Sequence, residues 1–254
     1  GLRKKGAVFV DHLSDVPRGE TVIFSAHGVS PKVRERARER GLRILDATCP
    51  LVTKVHIEAM RYAGDGYTVL LVGHRGHPET IGTKGEAPSQ TVIVGTVDEA
   101  TKVKVADPGR VAVLTQTTLS VDDTKEVVAV LKQRFPGLVV RNDICYATSN
   151  RQLAAKALAK QADVVLVIGA KNSSNSNRLR EVAQAAGVTA YLVNGSDEID
   201  DSMVQGASRI GIVSGASTPE LLVDQVIEKL KPNNIVKIEL VQENVTFALP
   251  PELR

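Results

Sequence analysis

The sequence predicts an α/β protein with mostly parallel sheets, on three observations. Short runs of Val, Ile and Leu recur along its 254 residues, helix-period segments fall between them, and the loops after the runs are rich in Ser, Thr, Asn, Gly and His. Apolar runs of strand length alternating with helices are the pattern of strands covered on both faces in β-α-β units. Composition agrees: 43% of residues are apolar, yet there is no Trp and there are four Phe and four Tyr, so aliphatic side chains carry the core. A chain of this length has room for one large α/β body or for two to three small ones.

Residues 2–6 read as the end of a helix. The strand candidates follow at residues 21–25, 68–72, 91–94, 111–114, 164–168 and 210–213. Ser30-Pro31 supplies an N-cap and a first-turn proline for a helix that Gly41 closes. Ser120 precedes Asp122 and Asp123, acids placed where a helix dipole favours them. That helix carries Val127, Leu131 and Phe135 on one face and stops at Pro136. Leu153, Ala154, Ala157 and Leu158 predict another helix face, and Leu222, Val226 and Leu230 one more. The tail, residues 235–249, alternates weakly and is expected to form a terminal strand pair.

A faint repeat is superimposed. Asp46 and Cys49, then Asp143 and Cys145, each end an extended segment ahead of a helix, which suggests units of 96 residues. Counting back by that interval from Cys49 lands before Gly1, so a first unit with its own cysteine would lie outside this sequence.

Several classes are disfavoured. A net charge of +3 with both signs interspersed does not mark a nucleic-acid binder. No run of 18 apolar residues predicts a membrane span, and the basic start lacks the apolar stretch of a signal peptide. Two cysteines do not make a secreted disulfide framework, so a cytoplasmic protein is expected.

In open parallel sheets ligands bind at the carboxyl ends of the strands, where helix N-termini offer free N–H groups to phosphate oxygens. The loops there, residues 25–28, 73–79, 115–118, 171–177 and 214–218, are rich in Ser, Thr, Asn, Gly and His. Each alone is an ordinary cap; five such loops together predict an anion site. No Gly-rich Walker loop and no G-x-G-x-x-G supports a nucleotide. His74, His77 and Glu79 are either a proton-relay set or a metal site without the usual zinc spacing. His12 and His56 read as plain surface or core histidines. Cys49 and Cys145 are buried small hydrophobes or ligands of a shared centre, though two thiolates fall short of the four of an ordinary iron–sulfur cluster. The basic stretch from Lys32 to Arg40 is a solvated helix or a docking face for an acidic electron carrier.

Five strings then stand in one order. They are Asp46-Ala47-Thr48-Cys49-Pro50 and the residues to His56; Gly76-His77-Pro78-Glu79; Thr115-Gln116-Thr117-Thr118 and the residues to Asp123; Asp143-Ile144-Cys145-Tyr146-Ala147-Thr148; and Lys171 through Arg178. In order and spacing the chain resembles the 4-hydroxy-3-methylbut-2-enyl diphosphate reductases, iron–sulfur enzymes that end one bacterial route to isoprenoids. The resemblance implies three similar α/β units around a pseudo-threefold axis, the first incomplete here. Residues 1–49 are expected as its remnant, 50–144 and 145–230 as complete units, and 231–254 as a tail. It further implies reductive removal of an allylic hydroxyl, giving isopentenyl and dimethylallyl diphosphate, with a ferredoxin or flavodoxin as electron donor.

By the same resemblance, Cys49 and Cys145 are ligands of a [4Fe-4S]-type cluster, Glu79 is the proton source, and Thr117 positions the substrate hydroxyl with His77 in the same relay. His27, His77, Ser173, Ser174, Asn175 and Ser217 hold the diphosphate. The family's N-terminal segment, with one cluster cysteine and a further histidine, is absent, so the chain alone is expected to be inactive. The rivals are a phosphometabolite-binding module without redox chemistry and a metal-dependent hydrolase built on His74, His77 and Glu79.

Overall fold

The structure is a computed structural model that describes residues 2–253, and every strand pair in it is parallel. Strands β1 (Thr21–Phe24) and β2 (Arg43–Asp46) form a two-stranded sheet, with helix α1 (Pro31–Glu39) as the crossover. Helix α2 (Pro50–Gly64) leads into β3 (Thr68–Val72), followed by α3 (Pro78–Glu86), β4 (Thr91–Val94), α4 (Val97–Lys102), β5 (Val111–Thr115), α5 (Val121–Arg134) and β6 (Val139–Val140). These four strands make a second sheet in the order β4-β3-β5-β6. Helix α6 (Tyr146–Ala159), β7 (Val164–Ile168), α7 (Ser174–Ala185), β8 (Thr189–Val193), β9 (Ile210–Ser214) and α8 (Glu220–Leu230) build a third sheet in the order β8-β7-β9.

The chain divides into two compact units. One runs to Gln116 and includes Glu126–Asp143 and the residues from Thr246 on; the other comprises Thr117–Lys125 and Ile144–Val245. The first holds two of the sheets. Val16, Val22, Phe24, Ala37 and Leu42 pack around β1 and β2. Val55, Ala59 and Tyr62 of α2 cover Val69, Leu71, Ile93, Ala112 and Leu114.

In the other unit Val165 and Val167 face Ala155, Leu179, Val182 and Ala183, while Leu166 and Ile168 face Val193, Ile199 and Val226. Both faces of β7 are therefore buried, which is why its sequence shows no polar alternation. Full burial of each such aliphatic side chain is worth roughly 1.5–3 kcal/mol.

Six strand candidates are observed, with β5 and β9 each one residue longer than expected and β1 one shorter. Residues 2–5 form a single 3-10 turn. Ser30 occupies the N-cap of α1, but its side chain makes no capping bond, and Gly41 closes the helix at φ +67°. Two expectations are corrected. In α6 the buried residues are Thr148, Gln152 and Ala155, whereas Leu153 is exposed. The helix turns by one position because the Gln152 amide finds backbone partners inside. The tail forms no strand pair, and Ile235, Val236, Leu240, Val241 and Phe247 are exposed. An isolated pair of strands with no face to pack against is marginal in water.

Candidate active site

In the first unit, β1 ends in a turn that Gly28 closes, donating its N–H to Ser25 O at φ +76°. The turn presents His27, whose Nδ1 pairs with Ser25 Oγ at 3.3 Å. The loop after β3 brings up His77, edge-on to His27 with ring centroids 5.3 Å apart. His77 is the N-cap of α3, with Pro78 at the first turn, and its Nδ1 accepts the N–H of Glu79 at 3.2 Å. Glu79 follows in the first helical turn, 1% exposed. Thr80 Oγ1 donates to His74 O and His77 O, and His74 N–H donates to Gln116 Oε1, so the loop is fixed at both ends.

Burial holds the His27 imidazole below its usual range. It pushes His77 further, to about 4, with the neighbouring His27 and His74 adding to the effect. Both rings are accordingly neutral at pH 7 before any anion arrives. Among the described residues no three His, Cys, Asp or Glu side chains are grouped as a metal site. His74, His77 and Glu79 are thus not grouped as such a site among the described residues.

Cys49 and Cys145 occupy the same local position. Each is a half-buried thiol at the N-cap of a helix, α2 and α6 respectively, a few residues after an Asp that ends an extended segment. The Cys49 N–H donates to Ala26 O beside the His27 turn. In the second unit the Cys145 N–H donates to Thr117 O, and Cys145 Sγ accepts the Thr148 N–H at 3.3 Å.

Thr117 is buried, and Thr118 Oγ1 donates to Ser174 Oγ at 3.3 Å. Gln152 of α6 holds this loop: its Nε2 donates to Leu119 O at 2.7 Å, and its Oε1 accepts from Val121 N–H at 3.1 Å. Ser173 caps α7 by accepting the Ser176 N–H. Asn177 closes the same loop through bonds to Lys171 O and Ser173 O. Asn175, 6% exposed, has no partner for either Nδ2 or Oδ1. Gly169 and Gly215 both lie against Ser176 Oγ, where a Cβ would collide, so the loop of exposed Ser217 lies beside the start of α7.

Loop composition pointed to five loops, and the family resemblance singled out His27, Thr117, Ser173, Ser174, Asn175 and Ser217 within them. It gave no sign of Gln116 or Gln152, which are single glutamines whose partners lie far along the chain. His56, read as a plain histidine, is 3% exposed and bonds Glu86 at 2.7 Å. A buried His seven residues after Cys49 on one helix was the available signal.

Comparison with known proteins places this arrangement. A family profile described as LytB protein matches residues 1–231. The 4-hydroxy-3-methylbut-2-enyl diphosphate reductase of Bordetella bronchiseptica is 53% identical over 257 residues, covering 99% of this chain and 79% of its own. That of an Azoarcus species is 54% identical over 258 residues, covering 100% and 83%. Among solved structures, the E-1-hydroxy-2-methyl-but-2-enyl-4-diphosphate reductase of Plasmodium falciparum aligns with a TM-score of 0.95 at 37% identity, over 99% of this chain and 81% of that one. On a profile match over most of its length and relatives more than half identical to it, the chain belongs to the LytB protein family.

Proposed function

We propose that the chain is a 4-hydroxy-3-methylbut-2-enyl diphosphate reductase, removing the allylic hydroxyl with two electrons and two protons to give isopentenyl or dimethylallyl diphosphate and water. One observation carries the anion half of this reading. The Asn175 amide is almost fully buried in the first turn of α7 with both polar atoms unpaired. A buried amide without partners is costly unless a ligand completes it. The surrounding donors, Ser173, Ser174 and the α7 N-terminus, suit phosphate oxygens. Ser217 adds a hydroxyl, and His27 and His77 contribute imidazole donors to the diphosphate.

The cysteines fit an iron–sulfur cluster in their chemistry. Both are free thiols at helix N-termini, and Cys145 Sγ already receives an amide N–H, the kind of bond that tunes cluster sulfurs. Cys49 and Cys145 would be two of the ligands of the cluster, a [4Fe-4S] type for which the resemblance implies a further cysteine, and when bound it would supply the electrons. The chain's own residues do the rest. Glu79 gives a proton to the leaving oxygen, the Thr117 hydroxyl orients that oxygen, and His77 fixes the start of α3 from which Glu79 projects. A ferredoxin or flavodoxin is the proposed electron donor. Division into units at 49, 144 and 230 is likewise our reading, since each span carries one sheet.

Replacing Asn175 by Ala, in the chain joined to the family's N-terminal segment, tests the reading. Losing hydrogen bonds to a charged group costs about 1.5–3 kcal/mol, so KM for the diphosphate should rise roughly ten- to a hundred-fold while the iron chromophore keeps its spectrum. An unchanged KM would remove Asn175 from the site.

A further inference from the structure

Beneath the His27–His77 pair lies a buried ionic chain that the reaction as described does not use. His56 Nδ1 bonds Glu86 Oε1 at 2.7 Å, and both side chains are 4% exposed. Glu86 also accepts from Arg34 Nη1 at 3.2 Å, and Arg34 Nε reaches Asp46 Oδ2 at 3.4 Å. One line of contacts thus joins α1, α2, α3 and the end of β2. Burial lowers the affinity of His56 for a proton, against the pull of Glu86. Because Arg34 already balances that carboxylate, a neutral ring with Nδ1–H donating to Glu86 satisfies the geometry. The opposite edge of the ring has no hydrogen-bonding partner at Nε2.

That opposite edge is packed against two glycines. A Cβ on Gly28 would stand 3.2 Å from His56 Cε1 and Nε2, and one on Gly82 would stand 3.2 and 3.3 Å from the same atoms and 3.5 Å from the Gly28 carbonyl carbon. Gly28 directly follows His27, and Gly82 lies on α3 one turn after Glu79. The ring therefore fills the notch where the His27 turn meets the helix that starts at His77.

We infer that His56, oriented by Glu86 and Arg34, is a positioning residue that sets the spacing between His27 and the His77–Glu79 start of α3. The inference rests on the roles proposed above for those residues. A ring fixed on one side by an ion pair and on the other by two missing side chains leaves the turn and α3 a single separation.

Gly82→Ala is the informative variant, its kinetic arm run in the chain joined to the family's N-terminal segment. A merely structural notch would absorb the added methyl by a local shift of the His56 ring, leaving the His27 and His77 resonances and the kinetics unchanged, since alanine is otherwise favoured over glycine in a helix interior. Positioning predicts that the added methyl pushes turn and helix apart, moves the His27 and His77 imidazole resonances in ¹H–¹⁵N spectra, and raises KM about tenfold at constant iron per chain. Adding His56→Asn, which keeps an N–H for Glu86 but frees the notch, should reverse much of both effects. Unmoved resonances in folded Gly82→Ala would overturn the inference. Moved resonances with an unchanged KM would instead uphold the positioning and overturn the role of His27 and His77 at the diphosphate.

Discussion

At His27 and His77, burial keeps two adjacent imidazoles neutral, which leaves them able to donate one hydrogen bond each without repelling one another. A bound diphosphate reverses the balance, since an anion beside an imidazole favours the protonated form. The His77 midpoint, about 4 in the free chain, should therefore move upward when pyrophosphate saturates the protein. Imidazole NMR titration reads this directly, and a midpoint that does not move would place the anion elsewhere. The same depression has a consequence for folding. The unfolded chain binds the proton from about pH 6.5 downward and the folded chain only near 4, so His77 favours the folded state above 6.5 and loses that contribution as pH falls through the interval. The five polar loops were legible because they share one composition, whereas Asn175 and Ser173 were singled out within them by the family resemblance. Gln152 and the His56–Glu86 pair were not legible, because each depends on a partner about thirty residues away that no local spacing records.

The elements themselves were readable wherever burial was two-sided. Strands β3, β5 and β7 are nearly continuous Val, Leu and Ile because helices cover both faces. Strand β8, at a sheet edge and half exposed, mixes Thr, Ala, Tyr, Leu and Val and has no such signature. Strand β6 spans two residues, too few for any period. Helix α6 defeated the apolar stripe because a hydrogen-bonded Gln152 occupies the inner face. Helix α8 ends as read at Leu230, but its cap is Lys231 at φ +46°, a left-handed conformation that suits glycine. Since a side chain there costs roughly 1–2 kcal/mol, Lys231→Gly should stabilise α8 by about 0.5–1 kcal/mol after the flexibility of the unfolded glycine is counted. Slower amide exchange along α8 is the expected signature; faster exchange would refute the assignment of strain.

Across the whole molecule, three parallel sheets place their polar loops at strand carboxyl ends, where the proposed site residues lie. His27, Cys49, His77 and Glu79 belong to one compact unit, and Thr117, Cys145, Ser173, Ser174, Asn175 and Ser217 to the other. Among the described residues no helix is long and apolar enough to cross a membrane. In the reaction proposed above, Glu79 brings a proton to the leaving oxygen. General acid catalysis is worth roughly two to four decades in rate. The most direct test is anaerobic turnover with reduced methyl viologen and 4-hydroxy-3-methylbut-2-enyl diphosphate, in the chain joined to the family's N-terminal segment and in preparations whose iron and sulfide content shows a complete cluster, comparing Glu79 with Glu79→Gln. Substrate-dependent oxidation of the viologen, yielding isopentenyl and dimethylallyl diphosphate, should fall by two to four decades in the variant with KM little changed. Full iron without substrate-dependent oxidation would contradict the proposed reaction, and near-normal turnover by the variant would contradict the role of Glu79.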